Sequence, residues 1–267
     1  MRRHWVQCDF HMKAHDVKPD ASRRQKLKGK LALVTGGAKR LGRETALALA
    51  REGADVAITF LKSAHDGRNT VIDASRLGVR ALAVECDVRD PKSVQTAISD
   101  VVYELGGLDL LVNNAGFYET VDFERLTMEQ WDNVFAVNTR GPFLMSQCAA
   151  THLKRRNGRI VNLGSLGGER PWATHAHYCS SKAALLMLTR VMAKALAPEI
   201  AVNCVAPGMI DLGEKSAAAF FRKTASRTPM KRNGTASDIA AAVLFFADAP
   251  HFITGQSLTV DGGLGLV

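Results

Sequence analysis

From Lys30 onward, short apolar runs alternate with longer segments of helical spacing, and this alternation constrains the fold of the 267-residue chain more than any other feature. The runs at 31–35, 55–60, 80–85, 108–112, 159–163, 201–205 and 257–260 read as strands. Residues 43–52, 63–77, 91–105, 127–153, 176–196, 214–227 and 236–247 read as helices, with Pro91 in a first turn and Gly78 closing the second helix. Near-continuous apolar strands separated by helices fit a parallel sheet covered on both faces. The expected fold is therefore a single doubly wound α/β domain of the Rossmann type, with seven parallel strands, over residues 30–267.

Composition narrows the function classes. A hydrophobic fraction of 46% with 23% charged residues supplies a sizeable core and speaks against disorder. No apolar stretch approaches 18 uncharged residues, so no membrane span is expected, and the start of the chain has no apolar signal region. The net charge of +9 would suit nucleic acid, but residues 1–30 hold nine Lys/Arg against three Asp/Glu. Only +3 is left for the other 237 residues. Residues 1–29 thus read as a flexible basic extension, and a nucleic-acid groove on the folded body is not expected. The five cysteines (Cys8, Cys86, Cys148, Cys179, Cys204) are odd in number, widely spaced and without a CxxC pair. That pattern implies reduced thiols in a cytoplasmic protein, with no metal site.

The first strand runs into Thr35-Gly36-Gly37-Ala38-Lys39-Arg40-Leu41-Gly42, and a helix follows at once. Glycines there let backbone approach a pyrophosphate, and the helix N-terminus favours its charge. Further on, Asn113-Asn114-Ala115-Gly116 follows the fourth strand, and Ser165 follows the fifth. Tyr178 and Lys182 lie four apart, on one helix face. Asn138 falls within the long helical stretch before them.

Together these residues resemble the short-chain dehydrogenase/reductase family, near the 3-oxoacyl-[acyl-carrier-protein] reductases. The family pattern is T-G-x-x-x-G-x-G, and Arg40 stands where its middle glycine is usual. That departure resembles pteridine reductases. The resemblance implies a catalytic set of Asn138, Ser165, Tyr178 and Lys182. It implies dinucleotide contacts from Gly36, Lys39, Arg40, Leu41, Asp87, Val88, Asn114, Ala115, Gly116, Tyr178, Lys182, Pro207, Gly208 and Ile210. Asp87 would accept from the adenine amino group, and Asn138 would hold a water in a proton relay to Lys182. Leu212 stands where relatives often place a threonine.

The chemistry suits these residue types. Hydride delivery to a carbonyl builds charge on its oxygen, which a donor must meet. Tyrosine titrates near pH 10, and a neighbouring ammonium together with a positively charged nicotinamide would lower that value. The second strand ends in Phe60-Leu61-Lys62-Ser63 without an acid to hold a ribose 2′-OH, so Lys62 and Ser63 point to NADP(H) over NAD(H). Phe117, Trp172 and Met209 are expected at the substrate pocket, and residues 211–230 as a lid over it. His175 and His177 read as surface or interface residues. Relatives are usually tetramers, so a homo-oligomer acting on a small carbonyl or alcohol is implied. The activity is expected to be that of a 3-oxoacyl or ketone reductase, with a pterin reductase as the alternative. A cofactor-bound regulator is a further alternative, against which the intact catalytic set speaks.

Overall fold

The computed structural model describes residues 25–213 and 218–267, together with the backbone of Trp5–Val6. Eight strands form one sheet: β1 (Trp5–Val6), β2 (Leu31–Val34), β3 (Asp55–Phe60), β4 (Ala81–Glu85), β5 (Leu110–Asn113), β6 (Arg159–Leu163), β7 (Ala201–Pro207) and β8 (Ser257–Val260). Their order is β1-β4-β3-β2-β5-β6-β7-β8. The seven strands from β2 on pair in parallel, as expected; β1 adds a short antiparallel edge on β4, with Trp5 opposite Val84. That edge strand lies in the stretch expected to be a flexible extension, most of which falls outside the described residues. The folded body also begins earlier than residue 30. Leu27 is buried in the core and its N–H donates to the carbonyl of Glu52 at 2.8 Å.

The helices are α1 (Arg40–Arg51), α2 (Ala64–Ser75), α3 (Pro91–Leu105), α4 (Met128–Phe135), α5 (Gly141–Lys154), α6 (Ala176–Leu196), α7 (Ala218–Arg227) and α8 (Ala236–Asp248). Their starts follow local chemistry. Asp90 accepts from the N–H groups of Lys92 and Ser93 ahead of Pro91, and Thr127 and Gln130 form a reciprocal capping box on α4. Each such cap stabilises its helix by about 1 kcal/mol. The stretch expected as one helix over 127–153 is instead α4 and α5 joined through a π-helical turn, Ala136–Arg140. Within the expected 214–227 helix, residues 214–217 lie outside the described residues.

Alternation along the strands builds two cores. Ala32, Val34, Leu110 and Val112 face the layer that holds α1 and α8. Leu31, Leu33 and Leu111 face the layer of α3, α5 and α6, where Met145, Leu153 and Met192 cover them. Each fully buried Leu or Met removes enough apolar surface to stabilise the fold by about 1.5–3 kcal/mol. The direction of strand succession reverses between β2 and β5, which both lie next to each other and open a crevice at their carboxyl ends. Among the described residues, no helix is long and apolar enough to cross a membrane.

Candidate active site

The turn after β2 is fixed from several sides. Gly36 has φ of +63°, a conformation that L side chains rarely adopt, and its N–H donates to Thr59 Oγ1 at 3.2 Å. Gly42 tolerates no side chain: a Cβ there would lie 2.4 Å from the Gly36 carbonyl oxygen and from Asn114 Nδ2. Asn114 Nδ2 donates to the carbonyls of Thr35 (2.8 Å) and Gly36 (3.2 Å), and Thr35 Oγ1 accepts from the N–H groups of Asn114 and Ala115. Asn114 therefore locks the turn to the end of β5. Helix α1 begins here with no side-chain cap and no acid in its first turn. Its first N–H groups and the positive end of its dipole thus face the crevice, an arrangement suited to an anion.

A cavity of about 610 Å³ occupies that crevice. Of the expected cofactor residues, Gly36, Lys39, Arg40, Leu41, Lys62, Asp87, Val88, Asn114, Ala115 and Gly116 line it. Ser63 does not; it sits at the N-cap of α2. Pro207, Gly208 and Ile210 also lie away from this wall, at the end of β7, although Leu212 beyond them does line it. Lys39 is committed to Asp66 at 2.9 Å, which holds that carboxyl below the usual range. Four residues without a signal in the sequence join the cleft: Thr59, Arg89, Asn133 and Val137. Arg89 donates to both carboxylate oxygens of Asp87 and to Asn133 Oδ1 at 2.9 Å. An Asp-x-Arg spacing was the only hint, and it reads equally well as a surface turn.

Ser165, Tyr178 and Lys182 come together at the carboxyl end of β6. Ser165 is buried, and its Oγ accepts from the N–H of Gly167 at 3.0 Å. Lys182 is buried; its Nζ donates to the Leu163 carbonyl at 2.7 Å and lies 5.9 Å from the centre of the Tyr178 ring. Burial lowers the Lys182 ammonium to about 8. Burial also pushes the Tyr178 phenol up to about 12, against a smaller opposing effect of its hydrogen bond with Ser165. The ammonium is turned to Leu163, so desolvation dominates in the protein alone. Gly116 brings the cofactor cleft to this group: a Cβ there would lie 3.9 Å from Lys182 Nζ.

Asn138 sits in the π-helical turn, a geometry often found at functional sites. Its Oδ1 accepts from the Phe117 N–H (2.8 Å), and its Nδ2 donates to the Phe117 carbonyl (2.9 Å) and Ser181 Oγ (3.1 Å). It therefore clamps the loop after β5 and makes no hydrogen bond to Lys182.

The substrate side needs two corrections. Phe117 lines the cofactor cleft, whereas its neighbour Tyr118 lines a second cavity of about 600 Å³ with Trp172 and Met209. Successive residues of an extended segment point to opposite sides, so both cannot face one pocket. His175 and His177 are not surface residues. His175 is buried, stacks on Tyr118 with ring centres 4.9 Å apart, and bonds Thr120 Oγ1 at 3.1 Å. His177 is fully buried, with Nε2 3.4 Å from Glu119 Oε1.

A doubly wound sheet with an uncapped helix at its switch point, and a Ser-Tyr-Lys group beside it, defines an oxidoreductase of the dinucleotide-binding class. A family model described as enoyl-(acyl carrier protein) reductase matches residues 36–265, and the chain belongs to the short-chain dehydrogenase/reductase family. It is 37% identical over 240 residues to the 3-oxoacyl-[acyl-carrier-protein] reductase FabG of Staphylococcus aureus, covering 88% of this chain and 98% of that protein. A short-chain dehydrogenase from Burkholderia cenocepacia, solved in complex with NADP, shares 41% identity at a TM-score of 0.84, over 90% of this chain and 99% of that one. The acetoin dehydrogenase YohF from Salmonella typhimurium shares 35% identity at a TM-score of 0.81, over 89% and 97%.

Proposed function

We propose that the protein transfers hydride between NADP(H) and a ketone or 3-oxoacyl carbonyl, with Tyr178 as its proton donor. The convergence of Ser165, Tyr178 and Lys182 beside Gly116, at the mouth of the dinucleotide-sized cleft, carries this reading. The similarity to a 3-oxoacyl-[acyl-carrier-protein] reductase and to a short-chain dehydrogenase solved with NADP supports it.

The residues present fit the dinucleotide. The uncapped start of α1 would receive the pyrophosphate. Arg40 and Lys62 line the cleft where β3 ends without an acid, and would face a 2′-phosphate. Pro207, Gly208 and Ile210, at the end of β7, would meet the nicotinamide side. When bound, the reduced cofactor supplies hydride to the carbonyl carbon.

The chain's own residues then manage the proton. A phenol near 12 is protonated throughout the neutral range, which is the form a general acid requires. Tyr178 gives this proton to the developing alkoxide, and Ser165 holds that oxygen by a hydrogen bond. Lys182, charged below about 8, stabilises the phenolate left behind and leads to its reprotonation. Asn138 holds the Phe117 backbone, and so the loop that frames the site.

The same reading makes the protein a cytoplasmic homo-oligomer. Phe143 on α5 and Met187 and Val191 on α6 expose apolar surface that a second copy would cover. The function is tested by NADPH consumption with purified protein across ketones, 3-oxoacyl thioesters and pterins. Turnover that depends on Tyr178 supports it, and NADPH binding without turnover of any carbonyl overturns it.

A further inference from the structure

We propose that the site is specific for planar, conjugated carbonyl compounds that also carry an anionic group. This rests on the carbonyl-reductase reading above and narrows it. Three rings from two segments cluster around the proton donor. Tyr118 meets Tyr178 edge-on with centres 5.0 Å apart, and Trp172 lies within 13° of parallel to Tyr178 at 6.1 Å. His175 stacks on Tyr118 and meets Trp172 edge-on at 5.5 Å. Tyr118 remains 56% exposed and lines a cavity of about 600 Å³ with Trp172 and His175, so the rings packed around Tyr178 present aromatic faces to that cavity. A flat conjugated ligand gains ring-to-ring contact there that a flexible aliphatic chain cannot match.

Charge selects further. Across the same cavity, α7 contributes Lys223 and Arg227, one turn apart and therefore on one face. Neither forms an ion pair with another described residue, and among the described residues no carboxylate side chain lines the cavity. The third cation on this wall, Arg170, is spent on the carbonyl oxygens of Leu264 (3.2 Å) and Val267 (2.5 Å). The terminal carboxylate of Val267 also lines the cavity and is taken up by Arg170, so Lys223 and Arg227 keep a net positive charge facing the aromatic pocket, which suits a carboxylate, sulfonate or phosphate on the far side of the ring from the reacting carbonyl.

The test uses the full chain with NADPH and three substrates: 4-acetylbenzoate, its methyl ester and acetoacetyl-coenzyme A. The expected kcat/KM for the carboxylate exceeds that for the ester by about tenfold and loses this advantage as salt is raised, because the contact is ionic. In K223Q/R227Q the carboxylate-to-ester ratio falls to near one, and in W172L the ratio of 4-acetylbenzoate to acetoacetyl-coenzyme A falls about tenfold. Each ratio is internal to one preparation, so loss of folded protein cancels. A carboxylate-to-ester ratio near one in the wild type, a ratio unmoved by salt or by K223Q/R227Q, or acetoacetyl-coenzyme A as the best of the three overturns the proposal. Turnover of none of the three, with NADPH bound, overturns the carbonyl-reductase reading instead.

Discussion

Arg89 holds the carboxylate of Asp87 through both oxygens, with Nε at 2.9 and 3.1 Å and Nη2 at 2.7 Å. Its Nη1 meanwhile ties the pair to Asn133 on α4. The guanidinium keeps Asp87 below the usual carboxylate range, so this wall of the cleft stays an ion pair under neutral conditions. Such a bidentate pair fixes orientation as well as charge. Arg89→Gln should release Asp87 from its set position and leave the wall unbalanced. The expected outcome is an NADPH Kd raised about tenfold, close to 1.4 kcal/mol, in a fluorescence titration. An unchanged Kd would show that the pair supports the loop and not the ligand.

Tyr178→Phe removes only the phenolic oxygen and leaves the ring among Tyr118 and Trp172. Turnover should fall by about 10²–10⁴-fold, the range for loss of a positioned proton donor. NADPH affinity should stay within about twofold, because the cleft that holds most of the cofactor lies beyond the ring. Residual activity near that of wild type in a stopped-time product assay would remove Tyr178 from the proton path.

The strands and the Ser-Tyr-Lys group were legible because each rests on a short-range pattern: an apolar run, a glycine turn, or a separation of four on a helix. What escaped depended on tertiary placement. His177 and His175 look polar in sequence, yet packing around α6 buries both. Phe117 and Tyr118 look interchangeable until the backbone sends one to each cavity. Arg89 carries no motif, and only the return of α4 brings Asn133 within its reach.

Lys182 gives a pH signature with a definite sign. Burial lowers its folded-state value from 10.5 to about 8, so between those limits the unfolded chain binds more protons than the folded one. Stability contributed by this site therefore rises as pH goes from about 8 to about 10.5. Tyr178, Cys86 and Cys204, all raised by burial, act oppositely at alkaline pH, so the comparison must be with Lys182→Met. Across that window the wild type should gain on the order of 2–3 kcal/mol relative to the variant in urea unfolding. Parallel stability curves for the two proteins would mean that the ammonium is better solvated than its burial implies.

Arg40 occupies the left-handed region, with φ of +51°, at the place where the family pattern has glycine. For a side chain with Cβ that conformation costs about 1–2 kcal/mol. Glycine would relieve the strain but adds backbone freedom at the first residue of α1, so Arg40→Gly should leave stability within about 1 kcal/mol of wild type. What it removes is a cation lining the cleft beside Lys62. The expected result is a drop of about tenfold in kcat/KM with NADPH, little change with NADH, and hence a narrowed preference, because only the 2′-phosphate distinguishes the two. If the ratio of the two cofactors does not move, Arg40 does not touch the 2′-phosphate, and Lys62 must carry the discrimination alone.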